Sequence, residues 1–336
     1  MARKTKTKAG GDSGVQAWFR ALAAHSGIRW GKALGWTLAV VAVAALGAAA
    51  MHVLEQRVLF DQAAANPGRV RVTLCGKPSW MPDAVADQIA ASLQAVATDY
   101  FDRDLTAKVH AAAETCPWVR NVLRVEKQRA GAAETAVIVE AEFRMPVAAI
   151  RTGLGCAYVD IEGVRLPAEQ VPLWAAHEGR PGDPDDAAVR YYLRREDVPP
   201  AYRPSRVHYI LIEGAGGQPP PVGGRWEGDD LAAGMRLIEL IRCKPYAWQI
   251  TAVDVRNYNG RLYEGEPHLR MYAQCDRSPV TDIRFGHFPR PDGDFRVSPE
   301  RKISYLDQYV RDHDGRLAGI NRTLDLRHDE LHVSYN

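Results

Sequence analysis

An α+β fold behind a single membrane-spanning helix is what this sequence predicts, on three observations. The first is Ala33 to Leu54, 22 residues without Asp, Glu, Lys or Arg. As a helix this stretch rises about 33 Å, enough to cross a hydrocarbon core of about 30 Å, and only a helix or closed barrel satisfies its own backbone there. The second is hydrophobic spacing beyond residue 69 that switches from alternation to steps of three and four and back again. The third is Gly and Pro punctuation that keeps each run short, with no internal repeat.

The flanks of the apolar stretch orient it. Residues 1–32 hold Arg3, Lys4, Lys6, Lys8, Arg20, Arg29 and Lys32 against Asp12 alone. The positive-inside rule then keeps this basic leader in the cytoplasm and predicts residues 55–336 outside it, anchored in the cytoplasmic membrane by a span at 33–54. Trp30 and Trp36 fall where an indole meets headgroups, and His52 lies near the far end. Ala48-Ala49-Ala50 resembles a signal-peptide cleavage site, but the leader is longer and the apolar run exceeds the usual 7–15 residues. Seven of the 43 basic residues and one of the 41 acidic ones lie in the leader, which leaves 36 and 40 beyond it. The outer part is therefore slightly acidic, so the basic pI comes from the leader and does not indicate nucleic-acid binding, and no nucleic-acid partner is expected. Five cysteines at wide spacing, with no C-x-x-C, give neither a zinc ribbon nor a redox pair. Buried apolar thiols are expected, and Cys243 with Cys275 is a candidate pair that spacing leaves open.

Taken in order, Glu55 to Gly68 reads as a connector ending in the turn Asn66-Pro67-Gly68. Val70–Leu74 is a strand. Ser79 is placed to cap a helix whose stripe is Val85, Ile89, Leu93, Val96 and Tyr100. Asp104 caps a shorter helix with Leu105, Val109 and Ala113 inside. In Val119–Lys127, Leu123 and Val125 share the inner side. In Thr135–Phe143, Val137, Val139, Ala141 and Phe143 point in while Glu140 and Glu142 point out. Strand-helix-helix-strand-strand buries both helical stripes on one face of a small sheet.

Residues 164–206 are rich in Pro, Gly and Asp and read as a surface insertion, with a short helix near Val189–Arg194. Val207–Ile212 is a strand closing at Gly214 to Gly217. Asp229 or Asp230 caps a helix with Leu231, Met235, Ile238 and Ile241 inside. Strands Ile250–Arg256, Leu269–Ala273 and Val280–Phe285 follow, the first two connected through Asn257-Tyr258-Asn259-Gly260. A helix from Glu300 to His313 buries Ile303, Leu306 and Val310, and Thr323–Arg327 and Leu331–Tyr335 end the chain as strands.

Three features together carry a family resemblance. One is the single anchor ahead of the first domain. The second is Cys116-Pro117-Trp118-Val119-Arg120-Asn121-Val122 before the second strand. The third is Glu142-Phe143-Arg144-Met145-Pro146-Val147-Ala148, followed by Asp160-Ile161-Glu162-Gly163. In this order the chain resembles the bacterial cell-division family FtsQ, or DivIB, whose members read P-W-V-x-x-V, E-x-x-P-V-A and D-x-x-G at these places. Gly286 suits the family's V-x-L-G. Arg129-Ala130-Gly131-Ala132-Ala133 stands where the family has R-x-W-P, and the 164–206 stretch is much longer than the family's link. The resemblance implies a POTRA domain at 69–149 and a β domain at 150–336 with flanking helices and the insertion at about 164–206. It also implies a non-enzymatic bitopic scaffold at the division site, linking division components across the membrane to septal peptidoglycan synthesis. Its partners would be small bitopic coiled-coil proteins similar to FtsB and FtsL, among other division proteins of the membrane. Another POTRA-bearing transport or assembly component is the alternative, though it would ordinarily bring a barrel or repeated units.

G-x-S-x-G, S-x-x-K, G-x-x-x-x-G-K-[ST] and H-E-x-x-H do not occur. His328 and His332 in His-Asp-Glu-Leu-His have zinc spacing only on a helix, and the alternation around them predicts strands about a turn. Asp183, Asp185 and Asp186 lack the calcium-loop pattern, and Gly214 to Gly217 run into Pro219-Pro220-Pro221 rather than a phosphate-binding helix. No catalytic, cofactor or metal residue is expected. The residues that stand out are Leu331, His332, Val333, Ser334 and Tyr335. A final strand with only Asn336 after it reads as a sheet edge, whose backbone groups invite another strand. In the resembled family the corresponding strand receives a segment of the FtsB-like partner, with an aromatic residue near the position of Tyr335. Arg120–Lys127 is the other candidate edge.

Overall fold

A computed structural model describes residues 30–65, 70–129, 135–178, 188–288 and 297–334. The chain parts into two units, Met1–Pro67 and Gly68–Asn336.

The first unit holds helix α1, Trp30–Ala65. Its segment Gly35–Val58 is long and apolar enough to cross a membrane, rising about 36 Å. The helix runs on through the segment read as a connector. Residues 55–65 contain neither Gly nor Pro, so nothing stops the helix until Asn66-Pro67, where the residue before a proline is biased away from helix. The basic leader falls outside the described residues, apart from the helical backbone of its last three.

The second unit begins with strand β1 (Val70–Cys75), helices α2 (Asp83–Val96) and α3 (Leu105–Glu114), then strands β2 (Val119–Arg129) and β3 (Thr135–Phe143). β3 lies centrally, parallel to β1 and antiparallel to β2. Val85, Ile89 and Leu93 of α2 and Leu105, Val109 and Ala113 of α3 are buried against Val137, Val139 and Ala141 of β3. The stripe ends sooner than its spacing suggests. Val96 is exposed, and Tyr100 lies beyond the helix, half-buried.

Neither predicted cap acts as one. α2 starts at Asp83 behind Pro82, whose fixed φ suits a helix entry, and Ser79 lies outside it. Asp104 precedes α3, but its carboxylate makes no capping bond; the Asp102 carboxylate accepts the Asp104 amide instead. In β2 the inner residues are Val119, Val122 and Val125, and Leu123 is exposed. Irregularities between Val119 and Asn121 and between Val122 and Arg124 shift the register twice, and each extra residue reverses the side that follows. The edge of β1 is covered: the Gln94 amide accepts the Val72 N–H at 2.9 Å and donates to the Val70 carbonyl.

Beyond this first core lies a nine-stranded sheet in the order β15-β14-β13-β12-β11-β10-β4-β5-β6. Its strands are β4 (Ala148–Thr152), β5 (Gly155–Val159), β6 (Arg165–Leu166), β10 (Ile210–Glu213), β11 (Ile250–Asp254), β12 (Leu269–Ala273), β13 (Thr281–Gly286), β14 (Thr323–Asp325) and β15 (His332–Ser334). Helices α4 (Asp229–Ile241) and α5 (Pro299–Asp312) pack on its inner face, burying Leu231, Met235, Ile238, Ile241, Ile303, Leu306 and Val310. Ser298 caps α5 by accepting the Arg301 amide. Gly228, not Asp229 or Asp230, stands at the N-cap of α4. Asp230 is buried, where it accepts the Gly216 N–H at 2.8 Å and Arg261 Nη1 at 2.9 Å.

The expected surface insertion is structural. Three of its strands form a small sheet, β7 (Trp174–Glu178) between β8 (Ala188–Tyr192) and β9 (Ser205–Arg206). The segment read as a helix at 189–194 is mostly strand β8. Its Val-Arg-Tyr-Tyr run suits a strand better, being β-branched and aromatic. Leu166 and Val171 are fully buried in the core beneath α2 and α3, and Gln170 Oε1 accepts Trp118 Nε1–H at 2.6 Å. Asp183, Asp185 and Asp186 lie outside the described residues. The five cysteines are free, and Cys75, Cys156 and Cys243 are exposed rather than buried.

Candidate functional site

β15 holds His332, Val333 and Ser334, with Leu331 leading into it; Tyr335 lies outside the described residues. It pairs antiparallel with β14, Leu324 facing Val333 and Asp325 facing His332. Leu331 and Val333 are half-buried against the core, while His332 and Ser334 are exposed. Backbone polarity follows from one bond. The Ser334 carbonyl accepts the Arg322 N–H at 3.2 Å. In a strand, the N–H and C=O of one residue point to the same side and the next residue's point to the other. Val333 therefore turns its pair outward, away from β14.

The opposite end of the sheet is closed. Arg165 of β6 donates its N–H to the Gly224 carbonyl at 2.9 Å and accepts the Gly223 N–H at 2.8 Å, so its outer backbone groups are used. Beneath Leu331 and Val333 a groove of about 450 Å³ runs along α5, past Tyr305 and Tyr309 to Asn321. Asn321 is buried and donates Nδ2–H to the Tyr309 hydroxyl at 2.7 Å, while its Oδ1 has no donor. The Tyr305 hydroxyl donates to the Asp329 carbonyl, tying the turn before β15 to α5. The His328 and His332 rings approach to 4.4 Å, one in that turn and one on the strand. Among the described residues no group of three His, Cys, Asp or Glu is placed to hold a metal.

Sequence reasoning overlooked the face that β15 shares with its neighbours. Asp254-Val255-Arg256, Asp282-Ile283-Arg284 and Asp325-Leu326-Arg327 repeat one pattern near the ends of β11, β13 and β14. Positions two apart on a strand share a face, so each Arg folds back on its own Asp, at 2.6 Å for Arg256–Asp254 and 2.7 Å for Arg327–Asp325. Arg270 of β12 reaches Asp282 at 3.0 Å, and Arg151 reaches Glu213 at 3.1 Å. Burial opposes ionisation of Asp254 and Asp325, but their bonds to Arg256 and Arg327 outweigh it and hold both below the ordinary carboxylate range. Gly214 makes room for this row: a Cβ there would lie 2.0 Å from Arg256 Cγ, and its φ of +79° favours glycine. The repeated Asp-x-Arg was the available signal.

No family model matches this chain, and no curated protein does.

The site thus rests on its own geometry. It offers one outward N–H and C=O at Val333, a groove of mixed lining in which Leu331, Val333 and Ile320 face Gln308, Asp312 and His313, and a face of paired charges in front. An exposed strand edge of this kind is able to pair with an extended segment through its backbone.

Proposed function

We propose that this chain is a non-enzymatic, bitopic scaffold of bacterial cell division of the FtsQ/DivIB kind, anchored in the cytoplasmic membrane with residues 1–32 inside and its sheets outside. The basic leader ahead of an apolar helix supports that orientation. The order β-α-α-β-β, with the first strand parallel to the third, supports reading residues 69–149 as a POTRA domain. A nine-stranded sheet flanked by α4 and α5 suits the second domain of that family. The observation that carries the proposal is the outward backbone of β15 at the end of that sheet. Partners similar to FtsB and FtsL would add a strand there and link the division machinery to septal wall synthesis.

Val333→Pro tests this, because it removes the outward donor and keeps an apolar side chain. Full-length protein carrying it should lose co-purification of small single-span coiled-coil partners while its melting temperature holds. A fluorescent fusion of the wild type should gather at the division plane. Undiminished partner recovery with Val333→Pro, or fluorescence spread evenly round the envelope, would refute the reading.

A further inference from the structure

A second groove, of about 290 Å³, opens where the first core, the 174–206 sheet and the large sheet meet. Trp80, Met145, Tyr191, Tyr209, Arg242 and Trp248 line it, and no Asp, Glu, Lys or Ser does. Aromatic residues, Met and Arg are enriched in the contact centres of protein interfaces, where Lys, Glu, Asp and Ser are depleted. Trp248 is 61% exposed and Met145 49% exposed, so two large apolar side chains face solvent beside a fully formed core. The volume lies near the lower end of ligand sites, roughly 300–1,000 Å³, which suits one or two anchoring side chains rather than a folded surface.

Charge decides what enters. Arg242 is exposed past the end of α4, with its backbone N–H on the Ile238 carbonyl at 2.8 Å. Its guanidinium has no ion pair or hydrogen bond among the described residues. His208, also in the wall, spends Nε2 on the Ile250 carbonyl at 2.7 Å. The groove therefore offers apolar walls and one unpaired planar cation, which matches a single carboxylate in bidentate fashion.

We infer that this groove docks an extended segment of a partner protein bearing an aromatic or branched apolar anchor next to an Asp or Glu. The surface is separate from β15 and does not depend on the division reading.

The test pans a random peptide library displayed on phage against the full chain in detergent micelles, then titrates a synthetic consensus peptide. Enriched peptides should share an apolar anchor beside an acid. Trp248→Ala should weaken the peptide's Kd by at least about tenfold, as for an interface hot spot. Arg242→Glu should weaken it similarly and regain affinity for the same peptide with its acid changed to Lys. Both side chains are exposed, so the melting curves of the variants should match wild type, and Val333→Pro should bind the peptide normally. Enrichment without acids, equal binding by both variants, or occupation by dodecanoate in place of any peptide would overturn the inference.

Discussion

Trp118 shows what a single residue can and cannot disclose. It lies in Pro-Trp-Val at the junction of α3 and β2, and it is buried in the core with residues of α3 and the sheet. Its indole partner, Gln170, lies 52 positions on, in a stretch that composition marked as loop; no local pattern connects them. Trp118→Ala should destabilise the protein by about 3–5 kcal/mol, read by chemical denaturation. Gln170→Ala leaves a buried N–H without an acceptor and should cost about 1–3 kcal/mol. Charges at this scale set an acid limit. Asp254 and Asp325 titrate below their unfolded values, near 3.9. Their contribution is complete above that value and is lost as pH falls through the lower folded-state range. Melting temperature should be flat from about pH 7 to pH 5 and fall below about pH 4. The fall should be shallower in the double variant Asp254→Asn, Asp325→Asn, and an equal fall in both proteins would assign acid sensitivity elsewhere.

Elements were legible where spacing alone determines them. The stripes of α3, α4 and α5, the first three positions of the α2 stripe and the alternation of β3 can be read directly, because those residues line one buried face. Boundaries were not, because a cap depends on backbone geometry: Pro82 and Gly228 hold the positions where Ser79 and Asp229 were expected. Alternation also misled in β2, where two irregularities turn Leu123 out. The 164–206 stretch was the largest surprise. Its Pro and Asp content hides Leu166 and Val171, too few to form a pattern yet both fully buried. Leu166→Ala should therefore cost about 2–5 kcal/mol, whereas a surface loop position would change by less than about 0.5 kcal/mol. Denaturant melts of the purified protein distinguish these outcomes.

Across residues 68–336, the two cores are joined by more than chain connectivity. Arg144 Nη1 reaches Asp160 at 2.6 Å and Glu162 at 2.7 Å, and Arg120 from β2 also bonds Glu162. The Asp160 side chain is 3% exposed and accepts the Val164 amide as well. The Arg144 and Arg120 bonds hold Glu162 below its ordinary range. Calorimetry should show one unfolding transition for this unit. Arg144→Ala, which strands a buried carboxylate, should cost about 3–5 kcal/mol and divide that transition in two. A strand-adding protein with two open edges can grow without limit, each copy templating the next. Here β6 is sealed by Gly223 and Gly224, and among the described residues no strand pairs with the outer side of β15. On the proposed reading, each copy of this chain then offers an incoming strand one berth on this sheet rather than two.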